Sequence, residues 1–196
     1  MSMKERPKYK KIIDAAVEVI AENGFHQAQV SRIAKKAGVA DGTIYLYFKN
    51  KDDLLISLFR EKMGHFIEKI QHEIASKDSV TEKLRAMVAM HFGQLAADKN
   101  LAVVTQLELR QTNRNLRLKV NEALKGYLVV IDSIIEQGKR EGVFGETIDV
   151  RLARQMIFGT LDETVTNWVM NDHKYDLKAL AQPVTDLLIG GLSTRS

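Results

Sequence analysis

The sequence predicts an all-α protein, with an N-terminal three-helix head followed by a six-helix body. Three observations predict it. Apolar residues recur at spacings of three and four along most of the chain, the period of an amphipathic helix. In 196 residues only Pro7 and Pro183 carry the locked backbone that breaks helices. No segment shows the apolar–polar alternation of a strand, and no internal repeat is present.

Ile12, Ile13, Ala16, Val17 and Ile20 mark a first helix over about residues 8–23, and Gly24 supplies its stop. Val30, Ile33, Ala34 and Ala37 mark a short second helix. It ends at Gly38, a residue free to take the left-handed backbone of a sharp turn. Ile44 and Phe48 mark a third helix of about two turns. Asn50 caps a long fourth helix, with Asp53 at the capping-box position, and its apolar stripe is Leu54, Leu55, Leu58, Met63, Phe66, Ile67, Ile70 and Ile74. Ser79 and Glu82 form a capping box for a fifth helix reaching about residue 97. Residues 101–109 make a shorter sixth. A long seventh covers 113–140, with Leu116, Val120, Leu124, Tyr127, Leu128, Ile131 and Ile135 inward. Gly142 and Gly145 break the chain. Asp149 starts an eighth helix to about residue 170, and a ninth covers about 176–190. The head is thus residues 1–50 and the body residues 51–196.

Charge is uneven between them. Residues 1–51 hold ten Lys/Arg and five Asp/Glu, a net of +5, whereas the whole chain nets +4 and residues 52–196 therefore net −1. A basic head on a near-neutral body fits an anionic partner, and nucleic acid is the commonest. There is no cysteine, which excludes disulfides and thiolate metal sites and makes a reducing cytoplasm the expected home. No apolar run approaches the roughly 20 residues of a membrane span. Residues 1–11 are basic, but Asp14, Glu18 and Glu22 interrupt the apolar residues after them, so no signal peptide is expected.

The stretch AGVADGTIYLYFKNKDDL, residues 37–54, carries the chemistry of the head. Two helices joined by a tight glycine turn, the second facing outward, make a helix-turn-helix, whose second helix enters the DNA major groove. Gly42 permits close approach of backbone to DNA, and Thr43 offers a hydroxyl to a phosphate. Tyr45 and Tyr47 bring flat rings with polar tips, suited to thymine methyls and phosphates. Ser31 lies near the start of the second helix, where free N–H groups favour a phosphate. Lys49 and Lys51 flank the same surface. The competing reading is a plain helical packing module with half-buried tyrosines.

Residues 12–55, IIDAAVEVIAENGFHQAQVSRIAKKAGVADGTIYLYFKNKDDLL, resemble the DNA-binding head of the TetR family of bacterial transcriptional regulators. The resemblance rests on the NGF that closes the first helix, the IA and AGV of the second, and GTIYLYF with the following lysines. EGVF at 141–144 and Trp168 extend it more weakly into the body. The resemblance implies a homodimer held through the last two helices and a small molecule that lowers DNA affinity. VVTQLELRQTNRNLR at 103–117 and DVRLARQMIFGTLDETVTNWVMNDHKYDL at 149–177 are similar to one branch, the regulators of fatty-acid degradation. That branch implies repression of β-oxidation genes and release by long-chain acyl-CoA. Another hydrophobic drug or metabolite is the alternative effector.

An acyl-CoA needs a dry channel, each buried methylene contributing about 0.8 kcal/mol, and cations for its phosphates. Met63, Phe66, Met87, Met90, Phe92, Leu107, Tyr127, Ile131 and Phe158 are the channel candidates, with ordinary core as the competing reading. Arg110, Arg114 and Arg117 are the phosphate candidates, on one face if the backbone there is helical. No metal is expected: His65 and His72 lie seven apart, with only Glu61 or Glu68 to recruit, and His91 sits beside Phe92. No cofactor and no catalysis are expected either. The chain lacks G-x-S-x-G, P-loop and G-x-G-x-x-G motifs, and the adjacent Asp162 and Glu163 point about 100° apart on a helix.

Overall fold

The structure, a computed structural model, describes residues 7–193, so the first six residues of the basic N-terminal stretch lie outside the described residues. Ten α-helices run in order: α1 Pro7–Gln27, α2 Val30–Ala37, α3 Asp41–Tyr45, α4 Lys51–Ala75, α5 Val80–Ala97, α6 Lys99–Glu108, α7 Arg114–Asn121, α8 Lys125–Arg140, α9 Val150–Met170 and α10 Ala181–Leu192. A 3₁₀ turn at Glu122–Leu124 joins α7 to α8, and another at Leu177–Leu180 precedes α10. With the α7–α8 run counted once, these are the nine helices the sequence predicts. The described residues add one isolated antiparallel bridge, Phe144 to Ser193.

The caps follow the local chemistry. Ser79 Oγ accepts from the Glu82 N–H (3.2 Å) while the Glu82 carboxylate accepts from the Ser79 N–H (3.1 Å), a reciprocal box. Asn50 Oδ1 accepts from the Asp53 N–H at 2.8 Å, and the Asp53 carboxylate reaches one residue further back than a box requires, to the Lys49 N–H at 2.9 Å. Asp149 and Asn113 accept from the N–H groups of Leu152 and Leu116.

Four boundaries depart from expectation, the first being the ninth helix, whose start is a 3₁₀ turn at Leu177–Leu180 with regular turns only over Ala181–Leu192. Gly24 (φ 72°, ψ 155°) does end the regular helix, but one more turn follows the kink as far as Gln27. The third helix is a single turn, Asp41–Tyr45, rather than two. The seventh is divided, because the backbone tightens to 3₁₀ at Glu122–Leu124 although that stretch holds no glycine or proline.

The described residues divide into two compact units, one within Met1–Gly64 together with Asn100–Ala123, the other within His65–Lys99 together with Leu124–Ser196. The first is built on α1 against α2 and α2 against α3, around buried Ile12, Ile33, Ile44, Phe48, Leu55 and Leu58. Lys62 donates to Asp14 at 2.6 Å, and the Glu108 carboxylate accepts from the Phe25 N–H just beyond the kink at 2.8 Å. The second unit packs α8 on α9 and sets α5 against α8, α9 and α10. Its core includes Met87, Phe92, Tyr127, Ile131, Ile157, Leu161 and Trp168. Gly138 is obligatory here: a Cβ would sit 2.1 Å from the ring of buried Phe144.

Candidate functional site

In the first unit, Gly38 (φ 68°, ψ 38°) takes the left-handed conformation that ends α2. Its N–H donates to Lys35 O (3.2 Å) and the Val39 N–H to Ala34 O (3.0 Å), which closes the helix and turns the chain into α3. Ile33, Ala34, Ile44 and Phe48 are buried behind that turn. Burial of each large apolar side chain stabilises the arrangement by about 1.5–3 kcal/mol. Tyr9 of α1 adds a support that periodicity alone does not reveal: it is buried and stacks on Phe48 at 5.3 Å.

This frame fixes where the expected contact residues stand. Tyr45 is 57 % exposed, and Ser31, Gly42 and Lys49 are exposed while Thr43 is half-buried. A Cβ at Gly42 would meet nothing within 4 Å, so no internal contact demands glycine there. Tyr47 is half-buried, with its ring 6.1 Å from Tyr9, and therefore has a packing role. Lys51 turns inward. Its ammonium donates to His26 O at 2.9 Å and lies 4.8 Å from the Phe25 ring centre, and burial pushes its pKa down. Leu46, which sequence reasoning misses because a leucine in a helical pattern reads as core, is 75 % exposed beside Tyr45.

The residues expected to line a channel fall into both units. Met63 (buried), Leu107 (49 % exposed), Arg110, Arg114 and Arg117 belong to the first. The arginines do not share one helical face. Arg110 lies in a turn between α6 and α7, so only Arg114 and Arg117 follow helical spacing. Arg110 Nη1 donates to Gln106 O at 2.9 Å and Arg117 Nη1 to Gln111 O at 2.8 Å, which anchors both guanidinium groups to local backbone.

Phe66, Met90, Phe92, Tyr127, Ile131 and Phe158 belong to the second unit. Here the structure assembles an aromatic cluster around a residue that sequence reasoning sets aside. The His91 ring is buried, edge-on to Phe66 (5.4 Å) and Phe92 (5.8 Å), and its Nδ1 lies 2.8 Å from the Tyr127 hydroxyl. Tyr127 in turn meets Phe66 at 5.9 Å and Phe158 at 6.2 Å. Burial pulls the His91 pKa down to about 3. It also pushes the Tyr127 phenol far up, aided by the charge of buried Asp162. Both groups are therefore neutral over the physiological range. Met90 is half-buried and Ile131 fully buried on the flanking turns.

Other features are plainer. His65 is exposed and lies 3.4 Å from the Glu68 carboxylate, His72 is exposed, and the described residues hold no group of three metal-ligating side chains. No helix among them is long and apolar enough to cross a membrane. On α9, Leu152, Met156 and Met170 are exposed, as is Leu187 on α10.

Residues 12–58 match the family described as "Bacterial regulatory proteins, tetR family", and residues 59–191 match "YsiA-like protein, C-terminal region". The chain is 64 % identical over 191 residues to the fatty acid metabolism regulator protein of Bacillus subtilis, covering 97 % of this chain and 98 % of that one. The solved structure of the fatty acid degradation regulator FadR from Bacillus halodurans is similar at TM-score 0.91 and 66 % identity, over 94 % of this chain and 99 % of that one. FadR from Bacillus subtilis, solved in complex with stearoyl-CoA, is similar at TM-score 0.91 and 65 % identity with the same coverage.

Proposed function

The chain belongs to the TetR family of bacterial regulatory proteins, and from that premise we propose that it is a DNA-binding repressor of fatty-acid degradation genes, released from its operator by long-chain acyl-CoA. One observation carries the reading: 64 % identity to a fatty acid metabolism regulator extends over 97 % of the chain, the effector-binding part included. The division of labour we assign is a DNA-binding domain at residues 1–50 and an effector-binding and dimerisation domain at residues 51–196. No catalytic role is assigned, and the protein works in the cytoplasm, where its DNA and acyl-CoA are found.

Ser31, Gly42, Thr43, Tyr45, Tyr47 and Lys49 contact the duplex in this reading, with Leu46 beside them. A ring and an aliphatic chain side by side suit thymine methyls in the major groove. Lys51 instead fastens the end of α1 to the start of α4. The exposed apolar side chains of α9 and α10 support pairing of two chains through those helices, which places two heads about one helical turn of DNA apart, roughly 34–36 Å. The effector occupies the neighbourhood of Phe66, Tyr127 and Phe158. It acts as a population shift, binding more tightly to a dimer whose head spacing does not fit the operator.

Genomic fragments retained by the purified protein at low salt, then eluted with stearoyl-CoA and sequenced, test this. Eluted fragments should come from upstream of acyl-chain degradation genes. Fragments scattered at random, or retained despite stearoyl-CoA, would overturn it.

A further inference from the structure

Resting on the effector reading above, we propose that the Nε2–H of His91 is the hydrogen-bond donor for the thioester carbonyl oxygen of the bound acyl-CoA. His91 holds a buried polar atom without a partner among the described residues. Nε2 is enclosed and has no hydrogen-bond partner among the described residues, while Nδ1 of the same ring is engaged by Tyr127 at 2.8 Å. Buried polar atoms are nearly always paired, so an orphan in a well-packed aromatic cluster calls for a reason. Shape does not supply one. A phenylalanine would fill the same space against Phe66 and Phe92 with no nitrogen to satisfy.

Burial keeps the imidazole neutral, so it carries one N–H. With the Tyr127 hydroxyl donating to Nδ1, the one imidazole proton resides on Nε2. The orphan is thus a donor, and it requires an acceptor. A thioester carbonyl is an acceptor, it carries no charge, and Phe66 and Phe158, both against the Tyr127 ring, offer apolar walls for its first methylenes. A free carboxylate fits less well, because it would bring negative charge towards Asp162, whose own charge already acts on Tyr127. His91 and Tyr127 therefore set a preference for acyl thioesters over chains of equal length without that carbonyl.

The test compares stearoyl-CoA with S-octadecyl-CoA, the thioether in which a methylene replaces the carbonyl, by calorimetric titration of the full-length protein. The wild type should bind the thioester about tenfold more tightly, the size of one well-made hydrogen bond in a dry site. His91→Asn, whose amide reaches only the Nδ1 position, should bind the two ligands equally. His91→Gln, whose amide nitrogen reaches the Nε2 position, should recover part of the preference. Each ratio is taken within one variant, so any loss of folded protein cancels. Equal binding of the two ligands by the wild type would overturn the inference, as would an undiminished preference in His91→Asn. Stearate that binds in a His91-dependent way, while stearoyl-CoA does not, would overturn the thioester assignment. Failure of the wild type to bind either CoA compound is a different result, and refutes the effector reading itself.

Discussion

In the first unit, the side chains aimed at a partner stand outside a finished core. Tyr45 and Leu46 project into solvent while Ile44 and Phe48, on either side of them in sequence, are buried. In the second unit the polar groups proposed to meet a ligand lie inside the core: His91, Tyr127 and Asp162 are all buried, and the Nε2 of His91 has no partner among the described residues. The difference matches what each must recognise. Duplex DNA keeps its shape and its charge in water, so a rigid frame bearing exposed side chains can meet it. A fatty acyl chain gains affinity by leaving water, so its polar head must be received by groups already dehydrated. The exposed site costs little stability to maintain, whereas the buried one leaves a polar atom unsatisfied until a ligand arrives.

Four changes probe this contrast. Phe48→Ala removes the support of the exposed residues and should lower stability by about 3–5 kcal/mol in urea unfolding, taking operator binding with it. Tyr45→Ala removes the projecting ring alone. It should weaken operator binding on the order of 100-fold, two heads each losing one contact, with the thermal midpoint unchanged. If Tyr45→Ala unfolds the protein, the separation of frame from contact is wrong. A pH series on wild type and His91→Phe probes the buried site. His91 has a folded pKa of about 3, below the value near 6.5 of an unfolded chain. As pH falls through that window the unfolded state takes up a proton that the folded state refuses, and stability is lost. The wild type should therefore lose about 1.4 kcal/mol per pH unit relative to His91→Phe between pH 6.5 and 4.5, with no such trend above pH 7.5. Parallel curves would show that His91 is not held neutral by burial. Ser79→Ala should have the smallest effect, about 1 kcal/mol of stability from the lost cap on α5, with operator and effector affinities unaltered.

The same contrast explains what is legible in the sequence. Gly38, Ile44 and Phe48 announce a tight turn and a short outward helix by type and spacing, and Ser79 with Glu82 announces a helix start, because these are local rules. The inward turn of Lys51 and the exposure of Leu46 stay hidden for one reason: local spacing does not say whether a side chain folds back on the end of α1 or stands free. The 3₁₀ turn at Glu122–Leu124 leaves no trace, since every residue there is compatible with an α-helix. Arg110 groups with Arg114 and Arg117 by spacing, a spacing that means nothing across the turn between α6 and α7. His91 is hidden most completely. In a helix of apolar period one histidine looks incidental, and only its contacts with Tyr127, Phe66 and Phe92 reveal a polar atom with nothing to bond.

Fluorescence anisotropy reads out whether a ligand in the body governs the head's hold on DNA. A labelled duplex carrying the selected operator is titrated with the full-length protein, with and without saturating stearoyl-CoA. Stearoyl-CoA should weaken binding at least tenfold, and Tyr45→Ala should bind poorly in either condition. Equal affinity with and without stearoyl-CoA would contradict that control.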